Sequence, residues 1–223
     1  IQVKCSALLS ALDAVEPCAA SGPIERGLVV HFGLTANKEF DIRLQLLCLT
    51  YNDTTEEYQY GDSKDCYRIK SDGSLEFQAN GLAAWKTTGG GWHNYASQVM
   101  IKSDSQSGWT RINPATEPNS AIHGEDAVRD LIAQNDLSEG ELALVPIATP
   151  QYRALLPDST YEERGFHQGV AWVPVGIVLD DSTYTGKPFQ AKALDLGSPC
   201  PQSCPGQPFT FLGAGTAPRH ACL

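Results

Sequence analysis

Histidine and carboxylate side chains in the central part of the chain have the types needed for acid–base chemistry. Glu163 and His167 lie in one segment together with Glu162 and Arg164, just before a predicted buried strand. A glutamate whose pKa is raised beside a histidine can act as a general acid or base. The alternative is an exposed polar segment whose ion pairs contribute little to stability. The candidate catalytic residues of a secreted hydrolase-type enzyme are His93, His123, Glu125, Glu163 and His167.

A second group combines aromatic rings with hydrogen-bonding side chains. Three of the four tryptophans fall between residues 85 and 109, around three consecutive glycines that predict a flexible or sharply turning loop. Aromatic faces can cover the apolar side of a sugar, and we then expect Trp92 and His93 to share an exposed groove. Burial of the same rings in a core is the alternative. The candidate ligand-binding residues are Trp85, Trp92, Asn94, Tyr95 and Trp109.

One combination of residue types could bind zinc. His123 and Glu125, followed by Pro199-Cys200 and Cys204, are similar to the H-x-E…P-C-x-x-C signature of zinc deaminases. In that family the histidine and cysteines hold zinc, and the glutamate moves protons. Here three residues rather than two separate the cysteines, and Cys200 lies 75 positions after Glu125. We therefore expect a disulfide rather than a zinc site.

Other cofactor motifs are absent from the sequence, which has no GxSxG, HExxH, P-loop, EF-hand or dinucleotide-binding pattern. Asp180 and Asp181 end a predicted strand, where paired carboxylates can hold calcium or simply start a turn. The sequence therefore predicts no cofactor, with calcium at Asp180 and Asp181 as the alternative.

The charge of the chain limits the class of partner. In 223 residues, 26 acidic and 16 basic side chains give a formal net charge of −10. Such a charge repels phosphate backbones and anionic membranes. The longest nearly apolar run, residues 170–179, has ten residues, whereas a membrane span needs about 20. We expect a glycan or cell-surface ligand, and neither nucleic acid nor membrane insertion.

Three features favour an extracellular location. Seven cysteines are many for a cytosolic chain of this size. Asn52-Asp53-Thr54 forms a glycosylation sequon in a polar stretch. The composition is acidic, with many Thr, Ser and Gly residues and few Lys residues. The sequence predicts a secreted acidic glycoprotein modified at Asn52.

The N-terminal cysteines flank a predicted helix over residues 6–16, followed by Pro17. Cys5 and Cys18 would then lie about 20 Å apart, too far to bond to each other. We expect at least one of them to join the helix to the C-terminal cysteines. If six of the seven cysteines pair, one is left over, and it could be free, joined to a second chain, or bonded to a segment that has been removed.

Cys48 and Cys66 are the expected local disulfide. They flank a polar stretch that would form the tip of a hairpin. Strand alternation places Cys48 with Leu46 and Cys66 with Arg68, so the bond would require a bulge or a twisted strand end.

Alternating hydrophobicity predicts a mainly β structure. Phe40, Ile42 and Leu44 are expected to face a core, and Asp41, Arg43 and Gln45 to face water. Asp72-Gly73 predicts a hairpin turn, and Pro146 and Pro174 predict strand edges or bulges. Strands are predicted at residues 27–34, 39–50, 66–70, 74–79, 98–102, 141–148 and 169–179, and helices at 6–16 and 125–135.

The expected fold is a single extracellular domain over residues 1–223, of the β-rich α+β class. It is either a β-sandwich or a twisted antiparallel sheet, with an N-terminal helix and one central helix. Disulfides would staple the chain ends, including the Cys/Pro/Gly-rich tail at 196–223.

Three functions are compatible with this fold. The first is a secreted binding protein acting on glycans or on an extracellular surface, and the second is the hydrolase-type enzyme. The third is a structural subunit of an extracellular assembly, which could form an oligomer through the odd cysteine or a sheet edge.

Overall fold

The computed structural model has a β-rich α+β fold made of antiparallel sheets, with three helices among the residues it describes. These are residues 1–14, 24–52, 57–60, 63–85, 87, 89–101, 110–111, 120–149, 152–155, 161–164, 167–175, 198–200 and 215–218.

The helices are short, and strands make up most of the regular structure. The helices are α1 (Cys5–Ala14), α2 (Gly91–Gln98) and α3 (Glu125–Gln134). The strands are β1 (Gln2–Lys4), β2 (Ile24–His31), β3 (Arg43–Asn52), β4 (Glu57–Tyr60), β5 (Cys66–Ile69), β6 (Leu75–Gln78), β7 (Met100–Ile101), β8 (Thr110–Arg111), β9 (Ser120–Gly124), β10 (Glu141–Thr149), β11 (Tyr152–Leu155), β12 (Tyr161–Arg164), β13 (His167–Pro174), β14 (Ser198–Cys200) and β15 (Gly215–Pro218).

The largest sheet is centred on β2. Its strand order is β14-β9-β2-β3-β4-β15, and the β5–β6 hairpin is attached to β3. Leu28, Val29 and Val30 are consecutive in β2 and all are buried, so both faces of this strand are covered. The turn predicted at Asp72-Gly73 joins β5 to β6, and Gly73 has the positive φ that favours glycine.

A second sheet has the order β1-β10-β13. β1 pairs only with residues 141–143, so Pro146 has β13 as its single strand neighbour among the described residues. Pro174 is the last residue of β13. Both positions fit the prediction of a strand edge or a bulge within the described part of this sheet, because proline has no N–H to donate to a second neighbour.

The core lies on the face of the large sheet that carries Leu28, Val30 and Leu44. Helical spacing directs the apolar residues of α3 to this core, as predicted from residues 125–135. The residues that the helices and the second sheet contribute are Val3, Cys5, Leu8, Leu12, Trp92, Tyr95, Val128, Leu131, Ile132, Leu142, Leu144, Val170 and Trp172.

Gln45, predicted to face water, is fully buried on the opposite face of β3. Its Oε1 lies 2.9 Å from Nε2 of buried His31, and its Nε2 donates to the Ser63 carbonyl at 2.7 Å. The prediction was wrong because it assumed one solvated face, whereas both faces of the sheet are covered here.

The helix α2, which was not predicted, begins at the third of the three glycines. Gly89 has φ +83°, and a Cβ on Gly90 would collide with the Ala84 carbonyl oxygen, so the glycines make a sharp turn before the helix, one of the two predicted alternatives. Trp92 and Tyr95 then share the buried side of α2. The helix includes Gln98, which reduces the strand predicted at 98–102 to β7.

Helix α1 begins at Cys5 and extends to Ala14, close to the predicted 6–16, whose last two residues lie outside the described part. The longest described helices have ten residues, and none is long and apolar enough to span a membrane.

The predicted Cys48–Cys66 disulfide is wrong, because Cys66 is a buried free thiol. The register explains this: Arg43 pairs with Arg68 and Leu44 with Tyr67, so Cys66 points to the Arg43 face and Cys48 to the opposite one. Cys48 is disulfide-bonded to a cysteine whose side chain lies outside the described part.

Cys5 is also a buried free thiol, so it does not join α1 to the C-terminal cysteines. Cys18, the other residue predicted for that link, lies outside the described residues.

Candidate functional site

An open cavity of about 500 Å³ lies where the β2–β3 connection meets β5 and the first two residues. We call this cavity the Phe40 pocket. It is lined by one exposed aromatic ring, two acidic side chains, two basic side chains and smaller residues: Ile1, Gln2, Thr35, Glu39, Phe40, Asp41, Arg68, Ile69, Lys70 and Ser71.

A hydrogen-bonded loop holds Phe40 at the pocket. Leu34 and Phe40 form an isolated antiparallel bridge, and Thr35 N donates to the Glu39 carbonyl at 2.8 Å. Lys38 N donates to the Thr35 carbonyl at 3.0 Å, and Lys38 has φ 68°, which lets the loop turn back within five residues. The Thr35 hydroxyl accepts a further bond from Glu39 N. The loop therefore fixes the Phe40 backbone before any ligand arrives.

The Phe40 ring is 50% exposed, although the alternation of residues 39–50 predicts it in the core. The strand β3 begins only at Arg43, so the period-two rule does not extend back to Phe40. The ring lies 6.4 Å from the Tyr95 ring, centroid to centroid. An aromatic surface is thus available to a ligand in the pocket.

Asp41 links the pocket to a group of positive charges. Its Oδ2 accepts a 2.8 Å hydrogen bond from Nη2 of Arg43, and its Oδ1 lies 3.7 Å from Nε of Arg68. The side chains of Asp41 and Arg43 are almost buried, whereas that of Arg68 is 45% exposed. The Arg43 guanidinium also lies 5.6 Å from the Trp85 ring centre, in cation–π geometry.

Three of the aromatic residues that were predicted to bind a ligand are buried and pack behind this pocket. Trp85, Trp92 and Tyr95 are buried, and the rings of Trp92 and Tyr95 stack at 5.6 Å. A Cβ on Gly33 or Gly91 would lie 2.5 Å from the Trp85 ring, so glycine at both positions makes room for it. The shared exposed groove expected for Trp92 and His93 is not found, because only His93 is exposed.

The remaining residues of that aromatic group have other positions. The Asn94 amide donates to the carbonyls of Leu34 and Gly89 at 3.2 Å each, so it ties α2 to the loop that carries Phe40. Trp109 lies outside the described residues.

Two of the candidate catalytic residues, His123 and Glu125, are buried, but their side chains contact different residues. His123 is 2% exposed and meets Trp172 edge-on at 5.9 Å, and neither ring nitrogen has a hydrogen-bond partner among the described residues. Burial lowers the pKa of His123 to about 4. Glu125 instead pairs with Arg26 at 3.3 Å and with Arg129 at 2.7 Å.

The other acid–base candidates lie on different elements. His93 is exposed on α2, Glu163 belongs to the β11–β12 pair, and His167 belongs to β13 in the sheet of β1 and β10. These placements provide no shared acid–base centre among the described side chains.

Metal ligands do not cluster in the part of the chain that is described: no three His, Cys, Asp or Glu side chains there could hold one ion. Asp180, Asp181 and Cys204 lie outside the described residues, so the expectations for calcium and for a disulfide at Cys204 stay predictions.

Sequence reasoning missed Phe40, Arg68 and Lys70 as site residues. One signal could have pointed to the first, because Phe40 stands between Glu39 and Asp41, directly after the polar turn Asn37-Lys38. An aromatic residue between two carboxylates at the end of a turn is a candidate for an exposed recognition residue.

Comparison with protein-family models, with curated proteins and with solved structures found no significant match for this chain.

Proposed function

We propose that this chain is an extracellular binding protein that binds a carbohydrate in the Phe40 pocket. The observation that carries the proposal is the half-exposed ring of Phe40, held by a hydrogen-bonded loop beside polar side chains in an open cavity. The proposal retains the ligand class expected from the sequence and assigns it to a different aromatic residue.

The chemistry of the pocket suits a sugar ring. A pyranose has a face of C–H groups and a rim of hydroxyl groups. The open side of Phe40 covers the face, while Thr35, Glu39 and Arg68 offer donors and acceptors to the rim. A cavity of about 500 Å³ falls within the range of about 300–1,000 Å³ that is usual for small-molecule sites.

The rigidity of the support also favours a binding site. Trp85 is enclosed by Gly33, Gly91 and Arg43, and Asn94 holds the Phe40 loop through Leu34. A site that is ordered before binding loses less conformational entropy when the ligand arrives. We infer that the buried aromatics predicted to touch the ligand act instead through this support.

Phe40→Ala tests the proposal, with Phe77→Ala as the matched control. Both rings are about half exposed, but Phe77 lies on β6 and does not line the pocket. Against a glycan array, followed by calorimetry on the glycans that bind, we expect Phe40→Ala to weaken binding about tenfold or more. Phe77→Ala should bind as the wild type does.

Two results would contradict the proposal. Either the wild-type protein binds no glycan at millimolar concentration, or both phenylalanine variants bind with unchanged affinity. In the second case the protein binds glycans at another surface.

The proposed location is supported by the acidic charge, by the disulfide bond of Cys48 and by the sequon at Asn52, which ends β3. Expression in a secreting eukaryotic cell should yield a chain whose mass falls when N-linked glycans are removed enzymatically. A chain of unmodified mass would contradict glycosylation at Asn52.

We further propose that the two larger sheets pack face to face as a sandwich, with disulfides near the chain ends. The support for this arrangement is the edge-to-face contact of His123 on β9 with Trp172 on β13. Cross-linking of cysteines introduced at exposed edges of β9 and β13 would measure their separation.

A further inference from the structure

We propose that the ligand of the Phe40 pocket is an acidic sugar, whose carboxylate or sulfate group is bound by Arg68 and Lys70. The inference rests on the carbohydrate-binding function proposed above and specifies the class of carbohydrate.

Two basic side chains project into the pocket from neighbouring positions of one strand. Arg68 lies in β5 and Lys70 follows that strand, and residues two apart in extended chain point to the same side. Both line the cavity. They can therefore approach one anionic group together.

These charges are largely uncommitted within the described structure. Arg68 has one ion pair there, the 3.7 Å contact with Asp41, which is longer than a hydrogen bond. Lys70 is exposed and has no ion pair within 4 Å among the described residues. Its charge acts on nearby Asp72, whose pKa is lowered first by hydrogen bonds from Ser74 and further by Lys70. Their donors are thus available to a ligand.

Asp41 does not cancel the charge of Arg68, because Arg43 already occupies its other oxygen at 2.8 Å. Two basic and two acidic side chains line the pocket, so the formal charges of its lining balance. The chain as a whole carries −10. The pocket is therefore a local exception to the acidic character of the protein.

A ligand with one negative charge can use the donors of Arg68 and Lys70 more fully than a neutral ligand can. A carboxylate or sulfate accepts two N–H groups of an arginine side by side, and such charge-assisted bonds are about twice as strong as neutral ones. A neutral sugar offers hydroxyl groups to the same donors but makes only the weaker kind of bond. Phe40 would contact the C–H face in both cases, so the acidic group should set specificity.

The experiment measures wild-type binding to matched pairs of sugars that differ only in the charged group. Suitable pairs are methyl glucuronide with methyl glucoside, and sulfated or sialylated oligosaccharides with their unmodified forms. We expect the acidic member of at least one pair to bind about tenfold more tightly, with affinity that falls as salt is raised.

The double variant Arg68→Gln/Lys70→Gln should bring the affinity for the acidic member of each pair down to that of the neutral member. The loss for neutral sugars should be smaller, because their hydroxyl groups make no charge-assisted bond with these side chains. Arg111→Gln is the matched control, since Arg111 is exposed and does not line the pocket. Circular dichroism of each variant checks that it is folded.

The outcomes separate the two proposals. Equal affinity for acidic and neutral sugars, lost in Phe40→Ala, would overturn the acidic ligand and leave the carbohydrate site. An acidic preference unchanged in the double variant would also overturn this inference. Absence of binding to every sugar would overturn both proposals.

Discussion

His123 is a titratable side chain that the fold buries without polar compensation. Its ring nitrogens have no partner among the described residues, and burial lowers its pKa to about 4 from an ordinary 6.5. An unpaired polar group in a core costs about 1–3 kcal/mol. His123 therefore has the surroundings of a structural residue packed beside Trp172. We expect its unpaired nitrogens to lower the free energy of unfolding.

This burial predicts a pH dependence of stability. As the pH falls below about 6.5, the unfolded chain protonates His123 while the folded chain stays neutral until about pH 4. The free energy of unfolding should therefore fall across that window, with a contribution of about 3 kcal/mol from this group. His123→Leu removes the titration, so its curve from pH 6.5 to 4 should be flatter by this amount.

Urea unfolding at several pH values measures the effect, and the comparison of variant and wild type at pH 7.5 is the internal control. At pH 7.5 His123 is neutral in both the folded and the unfolded chain. The variant and the wild type then differ only in packing and in the two unpaired ring nitrogens. Parallel curves for the two proteins down to pH 4 would contradict the assignment.

The sequence pattern predicted the burial of side chains whose surroundings depend on a single helix or strand. Val128, Leu131 and Ile132 are buried as the spacing of their helix requires. Phe40 and Gln45 could not be predicted, because what covers a residue depends on other parts of the chain. Gln45 is buried with His31, and Phe40 lies outside the regular strand.

At the scale of elements, Glu125 joins three parts of the fold. Its carboxylate, at the first turn of α3, binds Arg26 of β2 and Arg129 of α3. Arg129 also binds Asp13 of α1 at 2.7 Å, and Arg26 donates to the Leu12 carbonyl. The residue that sequence reasoning assigned to proton transfer thus connects α1, β2 and α3.

Glu125→Gln should lower the free energy of unfolding by about 1–3 kcal/mol, because it leaves two arginines without their shared, mostly buried carboxylate. Asp13→Asn is the matched control: it pairs with the same Arg129, but its side chain is 66% exposed. We expect a loss of no more than about 1 kcal/mol there. Denaturant unfolding at pH 7 measures both, and equal losses would contradict the central role of Glu125.

The sequence predicted most long elements and missed α2. The strands β2, β3, β10 and β13 and the helices α1 and α3 were expected from their periodicity. α2 was not, because Gly89–Gly91 indicates a turn, and a helix of eight residues is too short for a helical period to be evident. Its stability comes from Trp92 and Tyr95 in the core, which is a tertiary effect.

At the scale of the whole molecule, burial on both faces of β2 explains why a local hydrophobic pattern did not locate the site. The pocket forms where the β2–β3 connection, β5 and the first residues meet. Its residues therefore come from separate segments, and the pattern of any one segment does not predict it. The fold class could be predicted from periodicity alone, whereas the site required the topology that brings Phe40 beside Arg68.

The prediction at this scale concerns the seven cysteines and which of them are free. Cys5 and Cys66 are free, so five cysteines remain, and this odd number leaves at least one more unpaired within the chain. Burial raises the pKa of both free thiols to about 11, so at pH 8 each has about a hundredfold less thiolate than an ordinary thiol.

Alkylation at pH 8 without reductant should therefore spare Cys5 and Cys66 in the native protein and modify both in denaturant. Intact mass and peptide mapping measure the result, and full reduction should give seven alkyl groups as the control. We expect at least three alkylated cysteines in the denatured, unreduced monomer, because at most two disulfides can form within one chain. A peptide in which Cys66 is linked to Cys48 would contradict the register of β3 and β5, since it requires both side chains on one face of the sheet.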